Sequence, residues 1–387
     1  MNLLFNLVAV QPIHSAKFHG GGSYGEVIFW ALVNRGAKFS CVYDSRKYLS
    51  PDILEACKRC DIPLFDIAEK TPQQVIDENA IDAFYTPLYS LEKKWQIQVK
   101  RFVFTWHGVR ALEMQYSWEG IGFAKKLSQK LEALVRYRES WKKLYYAPKY
   151  RDLAARIADG RAECITVSEH SRASIKSFFP ELLDKKIPVF YSPMLDYEPE
   201  GFLPPGVKSK KFFLLTSGAR WEKNNLRAVK AFDELVSMIR SKNREFDMKL
   251  VITGATNVRV YRKHIRNKDA FVFLGYVESK ELEFLHKNAY AFIFPSLNEG
   301  FGYPPVQSMR YGVPVAASGT TSVPEVCENA ALYFDPYSVS EIKNRMIQLL
   351  DSNIYAMYAS RGVARYAEVH KRQKEDLEKA VSFVLGE

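Results

Sequence analysis

Residues 291–319 read AFIFPSLNEGFGYPPVQSMRYGVPVAASG. Two runs in it, Ala291–Pro295 and Val313–Ala317, are short and apolar and suit buried strands. Between them a Gly-rich loop carries Glu299 and runs into a helix whose first turn holds Pro304 and Pro305. Proline is tolerated there because first-turn N–H groups have no intrahelical partner. Strand, loop, helix and strand in that order make a βαβ unit, the building block of a parallel sheet covered on both faces.

The alternation extends in both directions from this stretch. Strands are expected upstream at Phe212–Thr216, Lys249–Thr253 and Phe271–Gly275 and downstream at Leu332–Phe334, with helices at Asn225–Ile239, Ser279–Lys287, Pro304–Arg310 and Val339–Leu350. The first half repeats the pattern. Its strands fit Leu3–Val10, Phe39–Tyr43, Ile81–Thr86, Arg101–Trp106, Cys164–Val167 and Pro188–Tyr191, and its helices Tyr24–Asn34, Pro51–Cys57 and Thr71–Asp77. SPMLDYEPEGFLPPGVKSKK, residues 192–211, is rich in Pro and Gly and reads as the linker. The expected fold is α/β: two Rossmann-like doubly wound domains, residues 1–195 and 206–353, then a helical segment, 354–387, packing back towards the first. Ligands of such sheets bind outside the carboxyl ends of the strands, so the expected site is the cleft between the domains.

A length of 387 residues suits two domains, and 47% apolar with 26% charged residues argues against long disorder. No apolar stretch approaches the ~20 residues that span a bilayer, which excludes an integral membrane protein. MNLLFNLVAV lacks a basic leader and a small-residue cleavage site, so it reads as a strand and not as a signal peptide. Five cysteines, an odd count, make no disulfide framework, and a reducing, cytoplasmic setting is expected. Cys57 and Cys60 form a CxxC, but no second pair completes a zinc site, and they read as ordinary thiols at a helix end.

Three motifs carry chemistry. GGGSYGE, Gly20–Glu26, is expected as a loop whose glycines let the backbone approach an anion at the opening of the next helix. Gly20, Gly22 and Gly25 also spell GxGxxG with Asp44 about 20 residues on. A dehydrogenase reading therefore stays open, although Gln11–His19 is long for a dinucleotide turn. TSGARWEKNN sets Arg220 and Lys223 at a helix opening, where two cations and the helix dipole add up at one place and suit a diphosphate. In the stretch quoted first, the N–H groups of Phe301 and Gly302 are positioned to meet a phosphate and Glu299 to accept from sugar hydroxyls.

These motifs resemble the donor domain of the family 4 glycosyltransferases, retaining nucleotide-sugar enzymes of the two-domain GT-B fold. The family's signature is Glu, seven residues, Glu; here it stands as EGFGYPPVQSM, from Glu299 to Gln307. VSEHSRASI (167–175), TSGARWEKN (216–224), FLGYVESKELEFLHKNA (273–289) and SVPEVCENAALYFDP (322–336) match in the family's order. The resemblance implies that Arg220 and Lys223 stabilise the departing diphosphate and that Glu299 holds the donor sugar. It implies that Gly254, Tyr276 and Val277 meet the nucleotide, that Gly21 and Gly22 close over the phosphates, and that His107, in TWHG, lies beside the reacting sugar. It also implies that no metal and no other cofactor is needed, since leaving-group charge is met by cations and helix N–H groups. Two departures stand out. Gln307 replaces the second signature Glu, and the Arg220–Lys223 spacing is shorter than in many members.

Residues 121–163 carry eleven basic against five acidic side chains, +6 of the chain's +11. Phe123, Leu127, Leu131, Leu134, Trp141 and Tyr145 follow helical spacing there. This describes a helix lying on an anionic membrane surface, or a core-facing stripe with a solvated basic side. No nucleic-acid motif accompanies the charge, and nucleic acid is not an expected partner. The function expected is transfer of a sugar from a UDP- or GDP-sugar to a glycan or lipid-linked glycan in bacterial surface polysaccharide or lipopolysaccharide synthesis, at or near the inner face of the plasma membrane. A nucleotide-sugar epimerase and a non-catalytic nucleotide-sugar-binding homologue are the alternatives.

Overall fold

A computed structural model describes the chain except residues 13–19, 90–94, 116–118, 125–126, 138 and 244 and the side chains of 132, 133, 135–147 and 149. It contains two six-stranded sheets in which every pair is parallel. The first takes β1 (Leu3–Asn6), β2 (Phe39–Tyr43), β3 (Leu64–Asp66), β4 (Ala83–Thr86), β5 (Arg101–Trp106) and β6 (Glu163–Thr166) in the order β3-β2-β1-β4-β5-β6. The second takes β7 (Phe212–Leu215), β8 (Lys249–Ile252), β9 (Phe271–Phe273), β10 (Ala291–Phe294), β11 (Val315–Ser318) and β12 (Ala331–Phe334) in the order β12-β11-β10-β7-β8-β9.

The apolar runs become strands because both of their faces are buried. In β7, Phe212 and Leu214 enter one core and Phe213 and Leu215 the opposite one. The helix Asn225–Arg240 covers the second of these cores with Val229, Phe232 and Val236, whose spacing puts them on one stripe. Each sheet therefore has the continuous apolar sequence of a two-sided core.

Several expected elements differ. Leu64–Asp66 is the outer strand beside β2, although its three half-buried residues offer only Leu64 and Phe65 as an apolar run. Pro188–Tyr191 makes a single bridge, Val189 to Thr166, and no strand. The first strand stops at Asn6, whose side-chain oxygen accepts from the Val8 amide at 3.0 Å and starts a 3-10 turn over Leu7–Ala9. GGGSYGE is not a loop: the helix Gly20–Asn34 begins at Gly20. A Cβ on Gly25 would lie 2.7 Å from Pro87 and 2.9 Å from Val10, so this glycine lets the helix sit down on the sheet.

The chain divides into two compact units, one of residues 1–109, 148–195 and 370–387, the other of 110–147 and 196–369. Residues 110–147, which chain order grouped with the first half, thus sort with the second sheet. The reason is local. Glu119 bridges Arg227 at 2.8 Å and Lys230 at 3.1 Å, the Gly120 backbone lies on the Trp221 indole, and Phe123 meets the Tyr261 ring edge-on at 5.8 Å. The helix Ser352–Leu385 ends in the first unit. There Gln373 donates to the Ser192 carbonyl at 2.5 Å, and Asp376 accepts from the Tyr191 amide at 3.0 Å.

In the basic stretch, Leu127, Leu131 and Leu134 of the helix Leu127–Tyr137 are 74%, 55% and 41% exposed, so these three positions do not face a core. Lys125 and Lys126 lie outside the described residues, as do the side chains of Trp141, Lys142, Lys143 and Tyr145. Among the described residues no helix is long and apolar enough to cross a membrane.

Candidate functional site

In the second sheet β7 pairs with β8 on one side and β10 on the other. Connections therefore leave β7 and β10 in opposite directions, and the carboxyl ends of these two strands are where such a sheet opens a crevice. The loop after β7 carries Arg220 and Lys223, and the loop after β10 carries Glu299. The structure brings the three together. Lys223 Nζ donates to Glu299 Oε1 at 2.6 Å, with only 10% and 8% of the two side chains exposed. The same Nζ stands 5.5 Å from the centre of the Phe294 ring.

The loops are held by their neighbours. Asn224, in left-handed backbone (φ 59°), donates its amide to the carbonyls of Pro295 at 2.9 Å and Pro336 at 2.7 Å, tying the first loop to the second. The Leu297 amide donates to the Glu222 carbonyl at 3.0 Å. The Ser322 hydroxyl reaches the carbonyls of Glu299 and Phe301, and the Glu299 amide donates to Thr321. Gly302 (φ 99°) caps the helix Tyr303–Arg310, whose first turn holds the prolines read from the sequence.

Charge in this cluster is balanced within a small space. Burial opposes the Glu299 carboxylate, but Lys223 and Arg110 outweigh it and hold the group below the ordinary carboxyl range. Lys223 sits below the usual ammonium range, because burial and the nearby Arg220 and Arg110 together exceed the pull of Glu299. Arg220 donates Nε to Glu222 Oε1 at 2.8 Å. Burial works against that guanidinium, and Glu222 and Glu299 more than make up for it. A cluster of cations and a carboxylate at strand ends can neutralise an anion and orient a polyhydroxylated group beside it.

The remaining expected residues of this unit are close in the fold but differently engaged. Gly254 (φ 70°) donates its amide to the Gly275 carbonyl at 2.7 Å, and a Cβ on it would come within 3.3 Å of Ser217 Cα. It therefore draws the end of β8 onto the loop after β7 and next to Tyr276, which is 57% exposed, and half-buried Val277. Gln307 does not join the ion cluster; its amide donates to Glu283 Oε1 at 2.8 Å. Glu283 is itself buried and takes a second bond from the Tyr311 hydroxyl at 2.8 Å. Burial raises its carboxyl above the ordinary range despite those two donors.

In the first unit Gly21 and Gly22 lie in the first turn of Gly20–Asn34, with Gly21 against Leu88. His107 follows β5; its Nε2 is 2.8 Å from the Pro87 carbonyl, and its ring meets Tyr24 edge-on at 4.9 Å. Gly21 and His107 thus meet at the 87–88 turn after β4. Asp44 is engaged by Arg46 at 2.7 Å, with its own backbone bonded to Gln11, which takes it out of the role an NAD ribose needs. Arg110, Glu113, Glu222 and Asn298 were not read from the sequence as site residues. Arg110 Nη1 lies 3.6 Å from Glu222, and Asn298 donates to Glu113 at 2.7 Å. The sequence signal was there, since VRALE follows TWHG directly and Glu222 stands between Arg220 and Lys223.

Residues 204–365 match the family model described as glycosyl transferases group 1. This stretch is similar to the group 1 glycosyl transferases. It contains every expected site residue of the second unit. The chain also has curated relatives. The chain is 40% identical over 94 residues to the O-antigen chain mannosyltransferase B of Escherichia coli, covering 24% of this chain and 25% of that one. It is 32% identical over 135 residues to the O-antigen chain mannosyltransferase RfbU of Salmonella typhimurium, covering 33% and 36%. The matched part thus spans about a quarter to a third of these relatives. WaaG, a glycosyltransferase involved in lipopolysaccharide biosynthesis, superposes over 100% of both chains with a TM-score of 0.64 at 14% identity. The fold is therefore GT-B, two Rossmann-like parallel-sheet domains.

Proposed function

We propose that this chain is a retaining, family 4 glycosyltransferase that moves a sugar from a nucleoside diphosphate sugar, UDP- or GDP-linked, to a glycan or lipid-linked glycan of a bacterial surface polysaccharide. The observation that carries the reading is the buried Lys223–Glu299 pair with Arg220 beside it, at the carboxyl ends of β7 and β10. The O-antigen mannosyltransferase relatives support it and make a mannosyl donor the first to test.

In this mechanism the bond from the sugar's anomeric carbon to the diphosphate oxygen breaks, and the electron pair leaves with the diphosphate. Arg220 and Lys223 meet the charge that builds there, which is where preorganised cations lower a barrier most. Glu299 accepts from hydroxyls of the donor sugar. The acceptor hydroxyl attacks from the leaving-group face, and its proton passes to the departing phosphate oxygen. No carboxylate nucleophile is used, unlike the paired carboxylates of retaining hydrolases. In this reading Arg220 and Lys223 offset part of the leaving group's charge, and no divalent metal takes part. His107, Gly21 and Gly22 act on the reacting sugar and phosphates.

The test is incubation with UDP- and GDP-sugars, with and without EDTA, followed by separation of the products. Release of nucleoside diphosphate by slow hydrolysis, unchanged by EDTA, is expected. Conversion to a second nucleotide sugar would mean an epimerase, binding without turnover a non-catalytic homologue, and loss of activity in EDTA a metal-dependent reaction.

The acceptor side of the proposal includes an anionic lipid surface. Leu127, Leu131 and Leu134 are exposed on one stripe of a helix in the stretch that holds +6 of net charge, the combination by which a helix inserts apolar residues beneath anionic headgroups. Sedimentation with anionic vesicles is expected to carry the protein down at low salt and release it at high salt. An empty pellet with anionic vesicles at low salt rejects this part.

A further inference from the structure

Glu222 lies between two guanidinium groups. Its Oε1 is 2.8 Å from Arg220 Nη2 and 3.6 Å from Arg110 Nη1, and its side chain is only 17% exposed. Arg110 comes from elsewhere in the sequence, two residues after the TWHG stretch, yet it is firmly placed. The short helix it opens, Arg110–Glu113, is tied by Glu113 to Asn298, the residue before Glu299. Nine residues on, Glu119 locks the same segment to Arg227 and Lys230. Arg110 also acts on the charges of Lys223 and Glu299, so it belongs to the same electrostatic cluster.

The cluster then holds three cations, Arg110, Arg220 and Lys223, against two carboxylates, Glu222 and Glu299. Glu299 is taken by Lys223, and Glu222 is shared by the two arginines. Guanidinium groups bind carboxylate and phosphate with the same planar fork, so one can replace the other without rebuilding the site. We propose that Arg110 is a third diphosphate-binding cation of this site and that Glu222 is the internal counter-ion which the donor's diphosphate displaces from Arg110 and Arg220. This rests on the reading of Arg220 and Lys223 as diphosphate ligands. It adds that affinity for the diphosphate is set by competition with a fixed carboxylate, so that one substitution weakens binding and its neighbour strengthens it.

The experiment is calorimetric titration of the full chain with inorganic pyrophosphate, UDP and GDP. The proteins are wild type, Arg110→Gln, Arg110→Lys, Glu222→Gln and, as a control on the site itself, Arg220→Gln. Arg110→Gln is expected to weaken pyrophosphate and the preferred nucleoside diphosphate at least ~10-fold and to flatten the salt dependence of binding, with Arg110→Lys recovering part of it. Glu222→Gln is expected to tighten the same ligands by ~10-fold. If Arg220→Gln loses affinity while Arg110→Gln and Glu222→Gln bind as wild type, the inference is overturned and the diphosphate site stands. If Arg220→Gln also binds as wild type, the diphosphate reading itself falls. Should Arg110→Gln fail to fold, Glu222→Gln decides alone: tighter binding supports the competition, and equal or weaker binding overturns it.

Discussion

Lys223 Nζ lies 2.6 Å from Glu299 Oε1, and both side chains are about nine-tenths buried. Removing one partner of a buried pair strands the other charge, at about 3–5 kcal/mol. Lys223→Ala is therefore expected to lose both stability and turnover. The neutral pair Lys223→Met with Glu299→Gln should recover most of the stability, because no charge is left stranded. Turnover should stay at least ~100-fold down. Urea unfolding and product release measured on both variants separate the two losses. Turnover restored in the double variant would mean that the pair serves only the fold.

Arg220 offers the contrast. Its side chain is 45% exposed and its partner Glu222 is also approached by Arg110. Truncating an exposed, paired cation changes stability by roughly 0–1 kcal/mol. Loss of one preorganised group at a developing oxyanion lowers kcat by about 100- to 1000-fold. Arg220→Ala is thus expected to melt near the wild-type temperature while losing turnover by that factor. A large melting shift with modest kinetic change would reverse its role.

Which parts were legible in the sequence follows from the kind of signal each leaves. The strands β7, β8 and β10 were read because two buried faces demand unbroken apolar runs, and the Lys223 and Glu299 loops because they end such runs. Leu64–Asp66 pairs with only one neighbour and is half-buried, and its apolar part, Leu64 and Phe65, is too short to stand out as a strand. Gly20–Gly25 was read as a loop since glycine weakens helices. The contact of Gly25 with Pro87 and Val10, which a sequence does not display, shows that this glycine serves close packing of a helix. Arg110 could not be joined to Glu222 from sequence, because 112 positions separate them and neither the turn nor the helix at Arg110 has a period to read.

Gln307 donates to the buried carboxylate of Glu283, where the family signature has a second Glu. Restoring that Glu would set two carboxyl groups at hydrogen-bond distance, and both cannot ionise. Gln307→Glu is expected to keep a proton on the pair in the folded state, with a folded pKa above the unfolded one. Its stability is then present below the unfolded carboxyl pKa and is lost as pH rises through the raised value. The variant should melt lower than wild type at pH 8 and close the gap towards pH 5. Exchanging the two residues, Gln307→Glu with Glu283→Gln, should restore melting at pH 8. A single variant as stable as wild type at pH 8 would rule out the clash.

His286, in the second unit, is fully enclosed, with Nδ1 2.6 Å from the Ser308 hydroxyl and its ring 4.9 Å from Phe292. Burial pushes its pKa down to about 3 from 6.5, so the folded chain holds a neutral ring across most of the acid range. The unfolded chain takes up a proton below pH 6.5 that the folded chain refuses. Stability is therefore full above the unfolded value and falls as pH drops from 6.5 towards 3. Linkage puts the loss between pH 7.5 and pH 5.5 at about 1.4 kcal/mol for one such group. His286→Gln does not titrate and keeps a polar partner for Ser308. It should be less stable than wild type at pH 7.5 through lost packing, yet lose about 1.4 kcal/mol less on going to pH 5.5. Urea midpoints of both proteins at the two pH values measure the difference in slope, and equal slopes would show that His286 is not held neutral by the fold.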